Sequence, residues 1–226
     1  MEAARAPTAS VDAHSSEHVA TLRWLGRVEY DPTWRSMQAF TEERDSHTPD
    51  QIWFLEHPPV FTLGMNGKRE HVLAPGDIPL VQIDRGGQVT YHGPGQLVVY
   101  PLIDVRRLGI GVRQLVVALE NAVISLAAEQ GIEAAGRRDA PGVYVEGRKL
   151  ASIGLRIRRH SSYHGLALNV AMDLEPFSRI NPCGFTDLQV TDLRTLGCET
   201  TTRAAGQALA PHLLRELGMD ASQEWS

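Results

Sequence analysis

Cysteine is nearly absent. The 226 residues contain two, Cys183 and Cys198. That is too few for a disulfide framework or a cysteine zinc site, so a bridge-stapled fold is excluded and a reducing compartment is expected. Long apolar runs are missing as well: no stretch approaches the roughly 20 residues a membrane-spanning helix needs. Residues 1–17 have no apolar core of the signal-peptide kind. They carry one Arg against three acids, the wrong balance for a transit peptide, and a disordered tail is expected there. Basic charge is not in surplus, and the net charge of -5 argues against a general nucleic-acid binder. No GxGxxG opens a helix and no glycine loop ends in Lys-Ser/Thr, so neither a dinucleotide fingerprint nor a phosphate loop is present. His160 and His164 stand four apart, but in a strand-like setting that lacks helical ligand geometry, and no metal is expected.

What is present is ordinary in bulk and unusual in places. Hydrophobic content of 42% and charge of 22% fit a globular protein of one large domain or two small ones. The chain is organised around Arg85-Gly-Gly-Gln-Val-Thr-Tyr-His-Gly-Pro-Gly-Gln96, which places four glycines, a proline, an arginine and a histidine in twelve positions. Apolar runs of strand length, Ile78–Ile83 and Leu97–Tyr100, lead in and out. Twelve residues exceed what a tight hairpin needs, and glycine permits close approach, so the stretch reads as a binding wall.

Strands are expected at 20–29, 51–55, 60–63, 142–145, 149–157 and 162–171, with Gly147 as a hairpin turn. A helix should start at Asp31-Pro32 and run to about Arg44. Val112, Leu115, Val116, Leu119, Val123 and Leu126 share one helical face that Gly131 terminates. A last helix over 202–217 should kink or split at Pro211 and close at Gly218. Runs of strands with helices between and after them imply an α+β fold, a mixed sheet with helices on one side. The last third is a candidate small lobe. A domain over 19–218 is expected between an N-terminal tail (1–18) and a C-terminal tail (219–226).

Cys183 lies in the turn Asn181-Pro-Cys-Gly184, which could present its thiol to a cleft. Cys198 reads as a small buried hydrophobe. A nucleophilic thiol needs a cation or imidazole to lower its pKa from about 8.5, and Lys149, His92 and His164 are candidates. From Arg137 to Arg159 there are seven basic residues and two acidic ones, a basic face on an acidic chain that suits an acidic partner or a solvated strand face.

Three segments in order are the glycine stretch 85–96, then Gly147-Arg-Lys-Leu-Ala-Ser-Ile-Gly-Leu-Arg156 with Tyr163-His-Gly-Leu-Ala-Leu-Asn169, then Ile180-Asn-Pro-Cys-Gly184. Together they closely resemble the lipoyl (octanoyl) transferases of lipoate biosynthesis, over about 22–217. The resemblance implies the fold of biotin and lipoate protein ligase catalytic domains. It implies transfer of an octanoyl group from octanoyl-acyl carrier protein to the acceptor lysine of apo lipoyl domains, those of 2-oxoacid dehydrogenases and the glycine cleavage H protein, in the cytoplasm and without a cofactor. By motif match Cys183 is the nucleophile that becomes the acyl thioester, and Lys149 lowers its pKa. Arg85, Gly86, Gly87, Gln88, Val89, Thr90, Tyr91 and His92, with Ser152, Ile153, Gly154, Gly165, Leu166 and Ala167, match substrate-binding segments. His92 and His164 are expected in the pocket wall and not as catalysts. Arg156, Arg158 and Arg159 are expected to help dock a partner. Three alternatives stand beside this: an ATP-dependent ligase on the same fold, a non-catalytic carrier-binding protein, and a Cys-His hydrolase.

Overall fold

The strand-length runs of the sequence assemble into two sheets in a computed structural model that describes residues 18–181, 188–223 and 225. In chain order the elements are β1 (Val19–Arg27), α1 (Tyr30–Glu43), β2 (Asp50–Glu56), β3 (Val60–Leu63), β4 (Leu80–Gln82), β5 (Val89–His92), β6 (Gln96–Leu102) and α2 (Val112–Glu129). They continue with β7 (Ala135–Gly136), β8 (Gly142–Val145), β9 (Arg148–Arg158), β10 (Ser161–Asn169), α3 (Thr202–Leu217) and β11 (Asp220–Gln223).

The large sheet has the order β11-β1-β2-β6-β10-β9-β8-β7, and the small one β4-β3-β5. β1 pairs parallel with β2 and β11, while the pairs β2–β6, β6–β10, β10–β9 and β9–β8 are antiparallel, so the sheet is mixed. β6 is central and buried at every position, which is why it reads as a nearly continuous apolar run. One face of the large sheet packs Phe54, Leu97, Val99, Leu166 and Leu168 against Leu115, Leu119 and Val123 of α2 and Leu209 and Leu213 of α3. The opposite face packs Trp53, Leu55, Val98 and Tyr163 against Met37 of α1. Helices therefore cover both faces. The expectation of helices on one side fails because β2 and β6 are apolar at consecutive positions and bury both faces.

Local chemistry explains most boundaries. Glu146 and Gly147 both take positive φ, 50° and 79°, the two-residue turn whose twist suits a hairpin between β8 and β9. Gly218 closes α3 in the left-handed conformation. Four expectations need correction. α1 begins at Tyr30 with Glu29 as its N-cap and no side-chain cap, while Asp31 accepts from Arg35 one turn on, at 2.8 Å. α3 runs unbroken through Pro211. Part of the glycine stretch, Val89–His92, is itself a strand, β5, paired with β3, and the runs that flank the stretch enter different sheets, β4 the small one and β6 the large. The last third is no separate lobe, since β10, α3 and β11 complete the main core, and the residues after Gly218, expected as a tail, add β11 to the edge of β1. The small lobe is the three-stranded sheet, which packs Phe61, Leu63, Val89 and Tyr91 on Met172, Phe177 and Ile180.

Candidate active site

A cleft of about 560 Å³, its open mouth included, lies between the α1-side face of the large sheet and the small sheet. Its floor is built from short side chains in register. Ala167 of β10 stands opposite Ser152 of β9 on one side and Val98 of β6 on the other. Gly154 and Gly165 pair next to them, and Ile153 and Leu166 also reach the lining. The roof comes from the glycine stretch: Arg85, Gly87, Gln88, Val89, Thr90 and His92. A floor of small and apolar residues suits a chain of methylenes, each worth about 0.8 kcal/mol when buried.

Arg85 lies across Gly154, where a Cβ would come within 3.0 Å of the arginine Cδ. Its guanidinium is buried and donates to the Gly86 carbonyl at 2.9 Å and to the carbonyl and hydroxyl oxygens of Thr62 at 3.0 Å each. The Gly86 N–H donates to the Leu155 carbonyl at 3.0 Å, which sews the roof to β9. The preceding residue, Asp84, is held from both sides. It accepts from Trp34 at 2.9 Å and Gln38 at 3.4 Å on α1, and from His164 Nε2 at 3.0 Å and the Tyr163 hydroxyl on β10. Burial alone would raise the Asp84 carboxyl, but the bonds from His164 and Tyr163 outweigh it and hold it well below the usual carboxylate range. The Tyr163 hydroxyl, buried and donating to that carboxylate, is pushed up to about 12. His164 takes a φ of 58°, an unusual conformation for a non-glycine residue, and burial lowers its imidazole.

Two aromatic residues line the cleft beside this roof, Tyr30 and Tyr100. His57 Nδ1 faces the Val28 carbonyl at 2.7 Å, so it must carry the proton. Nε2 then accepts from the Tyr100 hydroxyl at 2.8 Å, and Tyr30 and Tyr100 share a further bond. Burial pushes the His57 imidazole down to about 4, which keeps this wall uncharged at neutral pH. His92 stacks on Tyr30 with ring centroids 5.7 Å apart and lies well below its ordinary value, through burial first and the neighbouring His57 second.

Lys149 closes the lining on β9. It is 2% exposed, and its Nζ sits over the Tyr144 ring, 5.3 Å from the centroid. Gly142, at φ 145°, leaves room for it: a Cβ there would stand 2.8 Å from the lysine Cε and 2.3 Å from the Ala151 carbonyl. The lysine backbone is held by Gln189 and Thr191. Lys149 N–H donates to the Gln189 carbonyl at 2.8 Å, and Thr191 N–H donates to the Lys149 carbonyl at 3.0 Å.

The structure thus brings twelve of the substrate-binding candidates and Lys149 to one cleft. Gly86 and Tyr91 do not line it. Gly86 bonds to β9, and Tyr91 turns to the opposite face of β5, where alternation puts it against Phe61 and Phe177. Cys183, with Pro182 and Gly184, lies outside the described residues. Tyr30, Val98 and Tyr100 were not singled out from sequence. The period-two alternation of β6 places Val98 and Tyr100 on one face, but nothing in sequence points to Tyr30. Among the described residues no three His, Cys, Asp or Glu side chains gather as a metal-ligand set, and no helix is long and apolar enough to cross a membrane.

The chain matches the lipoyl protein ligase A/B catalytic domain over residues 29–214. It is 58% identical to the octanoyltransferase of Chromobacterium violaceum, covering 87% of this chain and 95% of that one. It is 60% identical to the octanoyltransferase of Alkalilimnicola ehrlichii, covering 87% and 91%. In fold it is similar to a bipartite lipoate protein ligase from Thermoplasma acidophilum, with a TM-score of 0.72 and 16% identity over 92% of this chain and 88% of that one. It is similar also to the biotin protein ligase of Aquifex aeolicus, with a TM-score of 0.53 and 13% identity over 88% and 69%.

Proposed function

The chain belongs to the lipoyl protein ligase A/B catalytic domain family and is an acyltransferase that moves octanoyl groups in lipoate biosynthesis; from that premise we propose that the group passes through a thioester on Cys183, with Lys149 handling the protons. The observation that carries this is the buried Lys149, which lines the same cleft as the glycine stretch and is held by a backbone segment that begins six residues after Cys183. Six residues span at most about 21 Å, a separation compatible with the proposed pairing of Cys183 and Lys149.

The chemistry balances with these two groups. The Cys183 thiolate attacks the carbonyl carbon of an octanoyl thioester, and the carrier thiolate leaves with a proton from the Lys149 ammonium. The acceptor amine then attacks the enzyme thioester and gives its proton to the now neutral Lys149, so the amide forms and the Cys183 thiolate returns. Thioester to thioester is nearly isoenergetic, and thioester to amide is downhill, so no nucleotide is consumed. The donor proposed is octanoyl-acyl carrier protein, and the acceptors are apo lipoyl domains, in the cytoplasm. Arg156, Arg158 and Arg159 are proposed to help dock one of these acidic partners. Arg158 is paired with Glu42 at 2.7 Å, so its charge is partly offset locally. Charge reversal at Arg156 and Arg159 should raise the Michaelis constant for a partner several-fold, and unchanged constants for both partners would end this role.

The deciding experiment is intact mass spectrometry after incubation with octanoyl-acyl carrier protein in the absence of ATP. One octanoyl adduct, discharged by hydroxylamine and missing in Cys183→Ala, is expected. No adduct in either protein, together with transfer that requires ATP and free octanoate, would assign a ligase mechanism instead.

A further inference from the structure

We propose that Gln96 and Asn169, neither of which lines the cleft, are positioning residues for octanoyl transfer: they carry a one-way chain of hydrogen bonds from His92 on the acyl slot to the segment that holds Lys149. Two backbone carbonyls fix the direction. Gln96 Nε2 lies 3.2 Å from the Tyr91 carbonyl, which can only accept, so the amide nitrogen is on that side and Oε1 faces His92 Nδ1 at 2.7 Å. His92 must therefore bear its proton on Nδ1. Asn169 Nδ2 lies 2.9 Å from the Thr191 carbonyl, which puts Asn169 Oδ1 toward Gln96 Nε2, at 3.0 Å. The chain of donors runs His92 to Gln96 to Asn169 to Thr191, and the Thr191 N–H continues it to the Lys149 carbonyl at 3.0 Å.

Every member is buried. A buried amide costs free energy unless its groups are bonded, and here each amide reaches partners on two different elements. At one end, the relay leaves His92 Nε2 as a bare acceptor 3.4 Å from the Thr62 hydroxyl, the oxygen that also accepts from Arg85 in the roof. At the other, Asn169 grips the Lys149 segment twice, through its side chain on Thr191 and through its carbonyl, which accepts from the Leu193 N–H at 3.1 Å. The acyl-holding wall and the proton-handling lysine are thus set by one network, in the way an outer partner fixes the tautomer of a histidine. This role rests on the part proposed for Lys149.

The test joins a spectroscopic readout to kinetics. Long-range ¹⁵N NMR of wild type should show His92 protonated on Nδ1. Asn169→Ala should lower kcat for transfer to a lipoyl domain about tenfold or more, with KM for octanoyl-acyl carrier protein changed less than about twofold, since the slot keeps its shape. The isosteric Gln96→Glu should lose kcat at neutral pH and recover it as the new carboxyl takes a proton and can again donate to Asn169. His92 found protonated on Nε2 would overturn the relay. So would variants with wild-type kcat whose only defect is a lower melting temperature. The Nδ1 signature in wild type together with the kcat losses in the variants, but no Cys183 adduct, would remove the thioester route and leave the relay standing.

Discussion

A lysine that is 2% exposed in a cleft floored by small side chains is either a stabilising packing element or a working group, and one substitution separates the two. Lys149→Met keeps a side chain of similar length and removes the ammonium that sits over Tyr144. Transfer should fall 100-fold or more in a steady-state assay of the folded variant. Equal activity in both proteins would remove Lys149 from the chemistry. Gly142→Ala approaches the same lysine from outside. Its Cβ would meet the Lys149 Cε at 2.8 Å, on a backbone at φ 145° that favours glycine. Transfer should drop at least tenfold, with about 1–3 kcal/mol of strain visible in denaturant unfolding. The motif around Lys149 was legible in sequence. Gly142 was not, because a clash between positions seven apart exists only once β8 and β9 pair.

At the scale of elements, α3 carries a proline that its sequence argues against. Pro211 stands inside an unbroken helix and is exposed, so it removes one backbone donor without a visible packing return. Pro211→Ala should stabilise the protein by about 1–2 kcal/mol, the helix-propensity gain less the extra freedom of the unfolded chain, measured by urea midpoint. A destabilised variant would mean the ring packs in a way its exposure does not suggest. The edge strand β11 offers a second test. Trp225, just beyond it, packs tilted against Phe54 with centroids 4.4 Å apart and lies 6.0 Å from Trp24. Trp225→Ala should cost about 2–3 kcal/mol. Ending the domain at Gly218, as turn signals alone suggest, would remove that contact together with the β1 edge pairing.

For the molecule as a whole, the buried imidazoles set its acid limit. His57 is pushed from the ordinary 6.5 down to about 4, and His92 and His164 are lowered too. Each stays neutral in the fold but takes a proton when the chain unfolds. Stability is therefore complete above pH 6.5 and declines as pH falls toward 4, by about 2 kcal/mol at pH 5 from His57 alone. Asp84 adds a loss below pH 4, since its carboxyl is held low by bonds that protonation breaks. Urea midpoints at pH 7.5 and pH 5 should differ in this sense, and equal midpoints would contradict the buried-neutral assignment. In His57→Phe the difference should shrink.

The sequence by itself determined the local matters. The 3.6-residue period of α2, the turn at Gly147, the end of α3 at Gly218 and the glycine stretch are all written in neighbouring residues, and the ordered motifs sufficed to identify the family. Only tertiary structure decided which polar groups meet. Asp84 and His164 are 80 positions apart, and Gln96 and Asn169 are 73 apart. Each pair is made by strand packing and register, and a one-residue slip would turn every partner to the opposite face. The same physics explains why Tyr30, Tyr100 and His57 were silent in sequence. A tyrosine or histidine in an apolar run looks the same whether its polar end is in solvent or in a closed network, and only the packing of α1 and β3–β5 on the large sheet settles which.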